Sequence, residues 1–254
     1  MSVEPACQER PAGSLYTEPD LHRRARVCTT LSSVWNGAGK DGKMSKIRIK
    51  SLLVGMVQTN CYIIYNDETK AAVIVDPGDA PKQISSRCKE WGITPEAILL
   101  THGHFDHIMA AKDLKEEWNL KIYSSDKEVE ILEDGEKNLM LKWFRKSYSL
   151  TPDITLRDNE EFELIGFKWK MLLTPGLTIG SCCYYIEDEE VLFSGDTLFQ
   201  MSYGRIDFPT GSGRDMVASV KRLLTLPEDV MVYPGHNDVT TIGHEKKYNP
   251  LARY

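Results

Sequence analysis

The sequence predicts an α/β fold in which two sheets pack face to face with helices on the outside. Three observations indicate it. From residue 47 onward, short strand patterns alternate with helical patterns. Strands, helices, strands and a final helix follow in that order, as two similar halves. No linker inside residues 44–254 is long enough to divide the halves, so a single domain is expected.

The first half opens with three short strands, IRIKSLLV, CYIIYN and AAVIV, which lie between turn signals. An amphipathic pattern then predicts a helix over residues 80–91, and the apolar run AILL predicts a buried strand. A helix over residues 107–118 and the strand KIYSS follow, which gives a βαβ order. Residues 126–149 are interpreted as a helix with one buried stripe and one solvated face.

The second half contains a further run of strand patterns, FELIGF, KWKMLLT, SCCYYIE and VLFSGD. A helix over residues 213–224 and the strand VMVYPG complete it. Cys182 and Cys183 are adjacent in one of these strands, so their side chains should point to opposite faces. The six cysteines form no CxxC pair, and reduced, buried thiols are expected.

Residues 1–43 differ from the rest of the chain. Proline, glycine, serine and charged residues are scattered there without a sustained period of 2 or 3.6. We interpret this segment as a disordered leader or an artificial extension, outside a domain that spans residues 44–254.

Charge and hydropathy exclude two classes of partner. A net charge of -6 provides no clustered excess of Lys and Arg for a nucleic acid backbone. The longest apolar runs, residues 52–56 and 97–100, are far shorter than the ~20 residues of a membrane span. The N-terminal residues show no secretory signal pattern, so a cytoplasmic protein acting on a small-molecule substrate is expected, with neither nucleic acid nor membrane as partner.

The segment THGHFDH, residues 101–107, holds four potential metal ligands directly after the buried strand AILL. Alternate residues of an extended segment share a face, so His102 and His104 can bind one ion. Asp106 and His107, at the turn into the next helix, can face another. So dense a cluster of ligand types predicts a metal site.

Two further residues fit this site. Asp196 follows an apolar strand in LFSGDTLF, where a carboxylate can bridge two cations, although a GD pair alone is more often only a turn. His236 follows a strand in VYPGHND, although such a histidine alone is more often a surface residue. Because each ligand follows a strand, one sheet edge can collect them all.

The series VDPG, THGHFDH, TPGLTIGS, SGDTLF and YPGH resembles, in order, the five motifs of the metallo-β-lactamase superfamily. GRIDFPTG and TTIGHEKKYNP resemble its glyoxalase II-like branch, and the resemblance spans residues 47–250. It implies an αββα sandwich with metals at one edge and hydrolysis by a metal-bound hydroxide. It also implies a centre of two zinc ions, with iron or manganese as other candidates.

The resemblance implies a role for each site residue. His102 and His104 belong to the first metal, Asp106, His107 and His236 to the second, and Asp196 bridges them. Asp106 is also the expected catalytic residue, and Asp76 of VDPG supports a ligand from behind.

Leu177 departs from the family pattern. The family's turn reads TPGHT, and its histidine is the third protein ligand of the first metal, whereas this chain has TPGLT. The first site is therefore expected to be weakened and the second to remain complete. Cys182 and Cys183 are conceivable replacement ligands, but strand packing explains them better.

The resemblance favours a metal-dependent hydrolase that acts on a thioester, such as a glutathione-type or other acyl-thiol conjugate. Arg205 in GRIDFPTG is a candidate for binding an anionic substrate arm, although a salt bridge with Asp207 explains it equally well. Two alternatives remain open: a persulfide dioxygenase-like enzyme with a single iron, and a metal-poor inactive variant. Leu177 counts more against the dioxygenase, because it removes one of only three iron ligands.

Overall fold

The computed structural model describes residues 46–253. The interpretation of residues 1–43 as an extension falls outside the described residues and stays a prediction. Fourteen strands and seven α-helices are found within residues 46–253, and 3₁₀ turns lie at Glu187–Glu189 and Pro250–Arg253. The strands are β1 (Ile47–Val54), β2 (Thr59–Asn66), β3 (Ala71–Val75), β4 (Thr94–Leu99), β5 (Lys121–Ser125), β6 (Ile154–Leu156), β7 (Glu161–Leu164), β8 (Phe167–Leu173), β9 (Cys182–Ile186), β10 (Val191–Gly195), β11 (Leu198–Phe199), β12 (Ser202–Tyr203), β13 (Met231–Pro234) and β14 (Thr240–Thr241). The helices are α1 (Pro81–Glu90), α2 (Phe105–Ile108), α3 (Ala111–Trp118), α4 (Val129–Glu133), α5 (Met140–Phe144), α6 (Gly213–Leu223) and α7 (Ile242–Tyr248).

The strands form two six-stranded sheets, with the orders β1-β2-β3-β4-β5-β6 and β14-β13-β10-β9-β8-β7. In the first sheet, β1, β2 and β3 pair antiparallel, and β3 to β6 run parallel. In the second sheet, β10 and β13 are parallel and the other neighbours are antiparallel. Parallel neighbours end at the same edge of a sheet, and this edge is where the predicted ligands follow their strands.

Alternating side chains of the strands fill three apolar layers. Ile64 and Met171 lie in the layer between the two sheets. Ile63 lies in the layer that joins the first sheet to α1 and α3, and Leu172 lies in the layer under α6. Successive residues of one strand thus enter different layers, as the two-residue period requires. The helix–sheet–sheet–helix order confirms the predicted αββα sandwich.

The adjacent cysteines of β9 illustrate the same alternation. Cys182 packs between the sheets and Cys183 packs under α6. Both are buried free thiols, as are Cys61 and Cys88. Burial raises the pKa of Cys183 to about 12, so its sulfur stays a neutral packing group.

Two predicted helices differ from the structure. The helix expected over residues 107–118 is split into α2 and α3, because the Ala110 amide donates to the carbonyl of Pro77 and leaves the helical ladder. The helix expected over residues 126–149 is wrong, since only α4 and α5 form there. The Asn138 amide donates to the Leu132 and Tyr148 carbonyls and holds the intervening chain as a loop. Trp143, in α5, is 50% exposed.

Four short strands and one helix went unpredicted: β6, β11, β12, β14 and α7. The strands have two or three residues, too few to show a period. Within residues 46–253, no helix has the length and apolar character needed to cross a bilayer.

Candidate metal centre

The predicted ligands lie together at the edge shared by both sheets. His102 and His104 occupy the loop after β4, and Asp106 and His107 lie on α2. Asp196 follows β10, and His236 follows β13. The structure thus brings together side chains from two halves of the chain, as the sequence predicted; that they bind metal stays a prediction.

Four of these side chains form one close cluster. His236 Nε2 lies 3.2 Å from Asp106 Oδ2, and His107 Nε2 lies 3.4 Å from the same oxygen. Asp196 reaches both histidines, with Oδ1 3.5 Å from His107 Nε2 and Oδ2 3.5 Å from His236 Nε2. Asp196 therefore lies against two of the residues assigned to the second metal, and its bridging role stays a prediction.

The other two histidines lie against this cluster. The ring centroids of His102 and His104 are 4.8 Å apart, and those of His102 and His107 are 4.0 Å apart. Both His102 and His104 are buried. The site thus continues from the four-residue cluster into the loop after β4.

Unpaired buried atoms test whether a metal ion fits here. Nε2 of His102, His104 and His107, and Oδ1 of Asp196, are buried without a hydrogen-bond partner. Buried polar atoms are normally paired, because an unpaired one costs on the order of 1–3 kcal/mol. Imidazole nitrogens and carboxylate oxygens are ligands of zinc and iron. The donor set therefore fits a divalent metal ion.

Asp76 orients the ligands from behind. Its Oδ2 lies 3.0 Å from His107 Nδ1 and accepts from the Thr101 hydroxyl at 2.6 Å. Its Oδ1 accepts from the Thr101 amide at 2.8 Å. A proton on His107 Nδ1 leaves Nε2 free to bind a metal. The same Thr101 hydroxyl contacts His102 Nδ1 at 3.1 Å, which extends this support to a second ligand.

Replacing Asp76 with asparagine is expected to lower metal affinity by about 10- to 100-fold, because the charge that orients His107 is lost. Asparagine also tolerates the left-handed backbone of this residue, with φ of 50°, so the fold should persist. Competition with a chelator measures the affinity. Unchanged affinity in a folded variant would contradict the supporting role of Asp76.

Charge within the cluster favours a cation. Burial lowers the pKa of His102 well below its usual value and that of His104 to about 4, so both stay neutral. Burial would also lower the pKa of His107, but Asp106 and Asp196 raise it well above the usual value. Burial raises the pKa of Asp196. Positive charge is therefore favoured between the carboxylates, beside neutral imidazoles able to bind a metal.

Leu177 lies in a tight turn spanning residues 174–181, which the Thr174 amide closes by donating to the Ser181 carbonyl at 2.7 Å. Its side chain is 1% exposed and belongs to the apolar layer that contains Leu198 and Met216. The Leu177 side chain thus packs in the apolar layer under α6. Its assignment as a lost ligand stays a prediction.

Arg205 pairs with Asp207 in two hydrogen bonds, of 2.9 and 2.6 Å. Its guanidinium also lies over the Phe208 ring at 4.1 Å, and that ring contacts His104 with centroids 5.1 Å apart. The salt bridge considered in the sequence is thus present. Arg205 is exposed near the centre. Its role in binding substrate stays a prediction.

Sequence reasoning missed two side chains that hold the site. The Thr59 hydroxyl donates to Asp106 Oδ2 at 3.0 Å. Glu128, which lies in the segment interpreted as one long helix, is fully buried and accepts from the Gly103 amide between the two histidines. Neither residue belongs to a local motif, because both act on partners that are distant in sequence.

A pocket of about 340 Å³ opens beside His236. Neutral polar side chains contribute much of its wall, including Gln58, Asn60 and Asn237. Among residues 46–253, the wall contains one carboxylate, Asp238, and no Lys or Arg. The pocket therefore suits a polar arm of low negative charge.

Most of the chain matches a known protein family. A model of the metallo-beta-lactamase superfamily matches residues 54–236, a range that includes every predicted site residue. The chain belongs to the metallo-β-lactamase superfamily. The fold and the family that the motifs predicted are thereby confirmed.

Members of this superfamily with similar sequences include metallo-hydrolases. The chain is 36% identical over 201 residues to the probable metallo-hydrolase YqgX of Bacillus subtilis, with 78% of this chain and 94% of that protein covered. It is 34% identical over 208 residues to the hydroxyacylglutathione hydrolase GloC of Haemophilus influenzae, with 81% and 98% covered. The similarity thus extends over nearly the whole length of both relatives.

Solved structures of the superfamily share the architecture. The B3 metallo-beta-lactamase BLEG-1 superposes with a TM-score of 0.77 at 38% identity, and 81% of this chain and all of that one are covered. The di-iron-bound form of TTHA1623 superposes with a TM-score of 0.69 at 34% identity, covering 79% of this chain and 98% of that one. Similar chains thus include a β-lactamase and a protein that binds two irons.

Proposed function

We propose that this protein is a metal-dependent hydrolase that cleaves thioesters of small acyl-thiol conjugates. The observation that carries the proposal is the set of unpaired imidazole and carboxylate atoms that converge on one sheet edge. Membership of a superfamily that includes metallo-hydrolases supports hydrolysis. The hydroxyacylglutathione hydrolase among the relatives supports a thioester as the bond that is cleaved.

The position of each residue in the site suggests its role in catalysis. His102, His104, Asp106, His107, Asp196 and His236 would hold the metal ions. Divalent ions bound there would lower the pKa of a water molecule to about 7 and polarise the thioester carbonyl, so no protein nucleophile is required. Asp106 would help to hold and orient that water, because Thr59 fixes Oδ2 in the part of the cluster that reaches solvent.

The pocket beside His236 suggests where the thiol carrier lies. Its wall offers amide groups for hydrogen bonds to a polar arm, while Asp238 repels negative charge. Glutathione carries two carboxylates, and within residues 46–253 no Lys or Arg on this wall would balance them. We therefore place a neutral, amide-bearing carrier arm in the pocket, which makes carriers without carboxylates the better substrates.

Metal analysis and turnover together test the proposal. Purified protein is expected to contain zinc, to hydrolyse thioesters, and to lose that activity on chelation and regain it when zinc, iron or manganese is restored. Kinetics with lactoylglutathione and with the matching thioester of N-acetylcysteamine should give the higher kcat/KM for the neutral carrier. Asp238→Asn, as a matched variant, should reduce the difference between the carriers.

Other results would lead elsewhere. Bound iron with oxygen uptake on a persulfide substrate would replace the hydrolase with the dioxygenase alternative. A chain with no tightly bound metal would be the inactive variant. Equal or better use of glutathione thioesters would leave hydrolysis intact and contradict only the assignment of the carrier pocket.

A further inference from the structure

Glu128 is a buried carboxylate outside the set of predicted ligands. It lies between β5 and α4 with no exposed surface. Burial raises its pKa to about 8, against hydrogen bonds from Thr178, Gly103 and Gly180 that lower it. Burying its charged form is costly unless hydrogen bonds satisfy the carboxylate oxygens.

Its partners come from two segments of the site. Oε1 accepts from the Gly103 amide at 2.7 Å, and Gly103 separates His102 from His104. The Thr178 hydroxyl lies 2.9 Å from Oε1 and 2.8 Å from Oε2, and Thr178 follows Leu177 directly. One carboxylate therefore joins the loop of the first metal position to the turn that carries the family's third ligand.

The main chain packs tightly around the hydrogen bonds of Glu128. A Cβ on Gly180 would collide with the backbone of Lys127 and Glu128, and a Cβ on Gly103 would lie 3.1 to 3.2 Å from Ile131 and Leu132. Both glycines therefore let main chains approach the carboxylate closely. The close approach is built into the sequence at two separate positions.

A second link runs beside the first. The Cys182 amide, at the end of the turn, donates to the Thr101 carbonyl at 2.8 Å. Thr101 is the residue before His102, so the turn is tied to the ligand loop on both sides of that histidine. Glu128 makes the link after His102 through its side chain, and the Cys182 amide makes the link before it through the backbone.

We infer that Glu128 is a positioning residue that fixes the His102–His104 loop against the turn of residues 174–181, and so sets metal affinity at the first position. The group of Asp106, His107 and His236 has its polar contacts with Asp196, Asp76 and Thr59 rather than with Glu128, and it meets the loop through the His102 ring, 4.0 Å from that of His107. The inference rests on the metal centre of the proposed function, but not on the thioester substrate.

Two variants and a control test this role in the full chain, both with Leu177 and with Leu177→His. Glu128→Ala removes the carboxylate, and Thr178→Val removes one donor while keeping the side-chain volume. Thr178→Ser keeps the hydroxyl and serves as the control. Zinc affinity of the weaker and the tighter ion is measured by chelator competition, and the visible spectrum of the cobalt-loaded protein reports the geometry.

For Glu128→Ala and Thr178→Val, the affinity of the weaker ion is expected to fall by about 10- to 100-fold, while the tighter ion keeps its affinity. Thr178→Ser should retain both affinities. A purely structural role would lower the melting temperature and leave the ratio of the two affinities unchanged, which overturns the inference. Should Glu128→Ala not fold, Thr178→Val decides by the same ratio. A parent chain that binds no metal at all would refute the proposed function as well.

Discussion

Replacing Leu177 with histidine is expected to raise the bound metal from about one ion toward two per chain and to increase thioester hydrolysis strongly. The turn that carries Leu177 is already tied to the His102–His104 loop through Glu128 and through the backbone. The imidazole would therefore be added to a turn whose position relative to the His102–His104 loop is already fixed. With a second ion, the carbonyl would be polarised and the negative charge of the transition state stabilised. Metal content by elemental analysis and kcat/KM on the same preparation measure the result.

Leu177→Asn is the matched control, because it adds a polar side chain without an imidazole nitrogen. Leu177 packs in an apolar layer, so an unpaired polar group there should cost on the order of 1–3 kcal/mol of stability. For Leu177→His, added zinc should restore the melting temperature, whereas for Leu177→Asn it should not. If Leu177→His binds no more metal than its parent and hydrolyses no faster, the assignment of Leu177 as a lost ligand position is wrong.

Asp196→Asn is expected to abolish most hydrolysis, with kcat/KM reduced by about 100-fold or more, beyond the usual effect of a residue behind the ligands. Asp196 lies 3.5 Å from both His107 and His236, so its charge acts on two of the three residues assigned to the second metal. Its Oδ1 is buried and unpaired, and burial raises the pKa of the carboxyl. A neutral amide of the same shape should therefore leave the metal-free chain as stable as before, or more stable.

For Asp196→Asn, activity and metal content should fall. The melting temperature of the metal-free chain should stay unchanged. Asp207→Asn is the control, because Asp207 is an exposed carboxylate that pairs with Arg205 near the same centre. It should change kcat/KM little. Retention of metal and activity by Asp196→Asn would show that Asp196 is not a metal ligand.

The strands that were predicted correctly are those with several alternating residues. In β1 and β8, apolar residues alternate with charged ones in IRIK and FKWK, and in β2 and β9 successive apolar side chains enter different layers. The segment 126–149 misled the prediction because it is rich in helix-forming residues. Its actual path depends on Asn138, whose amide bonds to two distant carbonyls.

The residues of the site were also only partly predictable from the sequence. Its ligand candidates were visible because four lie within THGHFDH and the others follow strands with turn signals. Glu128 was hidden in a charged stretch, where a glutamate ordinarily faces solvent. Only the folded chain shows that it is buried against Gly103 and Thr178. Local density of ligand types is readable from a sequence, whereas a residue that joins two remote loops is not.

The candidate centre takes its side chains from both halves of the sandwich: His102 to His107 follow the first sheet, and Asp196 and His236 follow the second. An ion held between them would act as a cross-link between remote parts of the folded chain, and it would stabilise the fold only while it is bound. Opening either half would release it. Resistance of this protein to unfolding would then rise with the logarithm of the free metal concentration, so the same ions that serve chemistry would also lock the two sheets together.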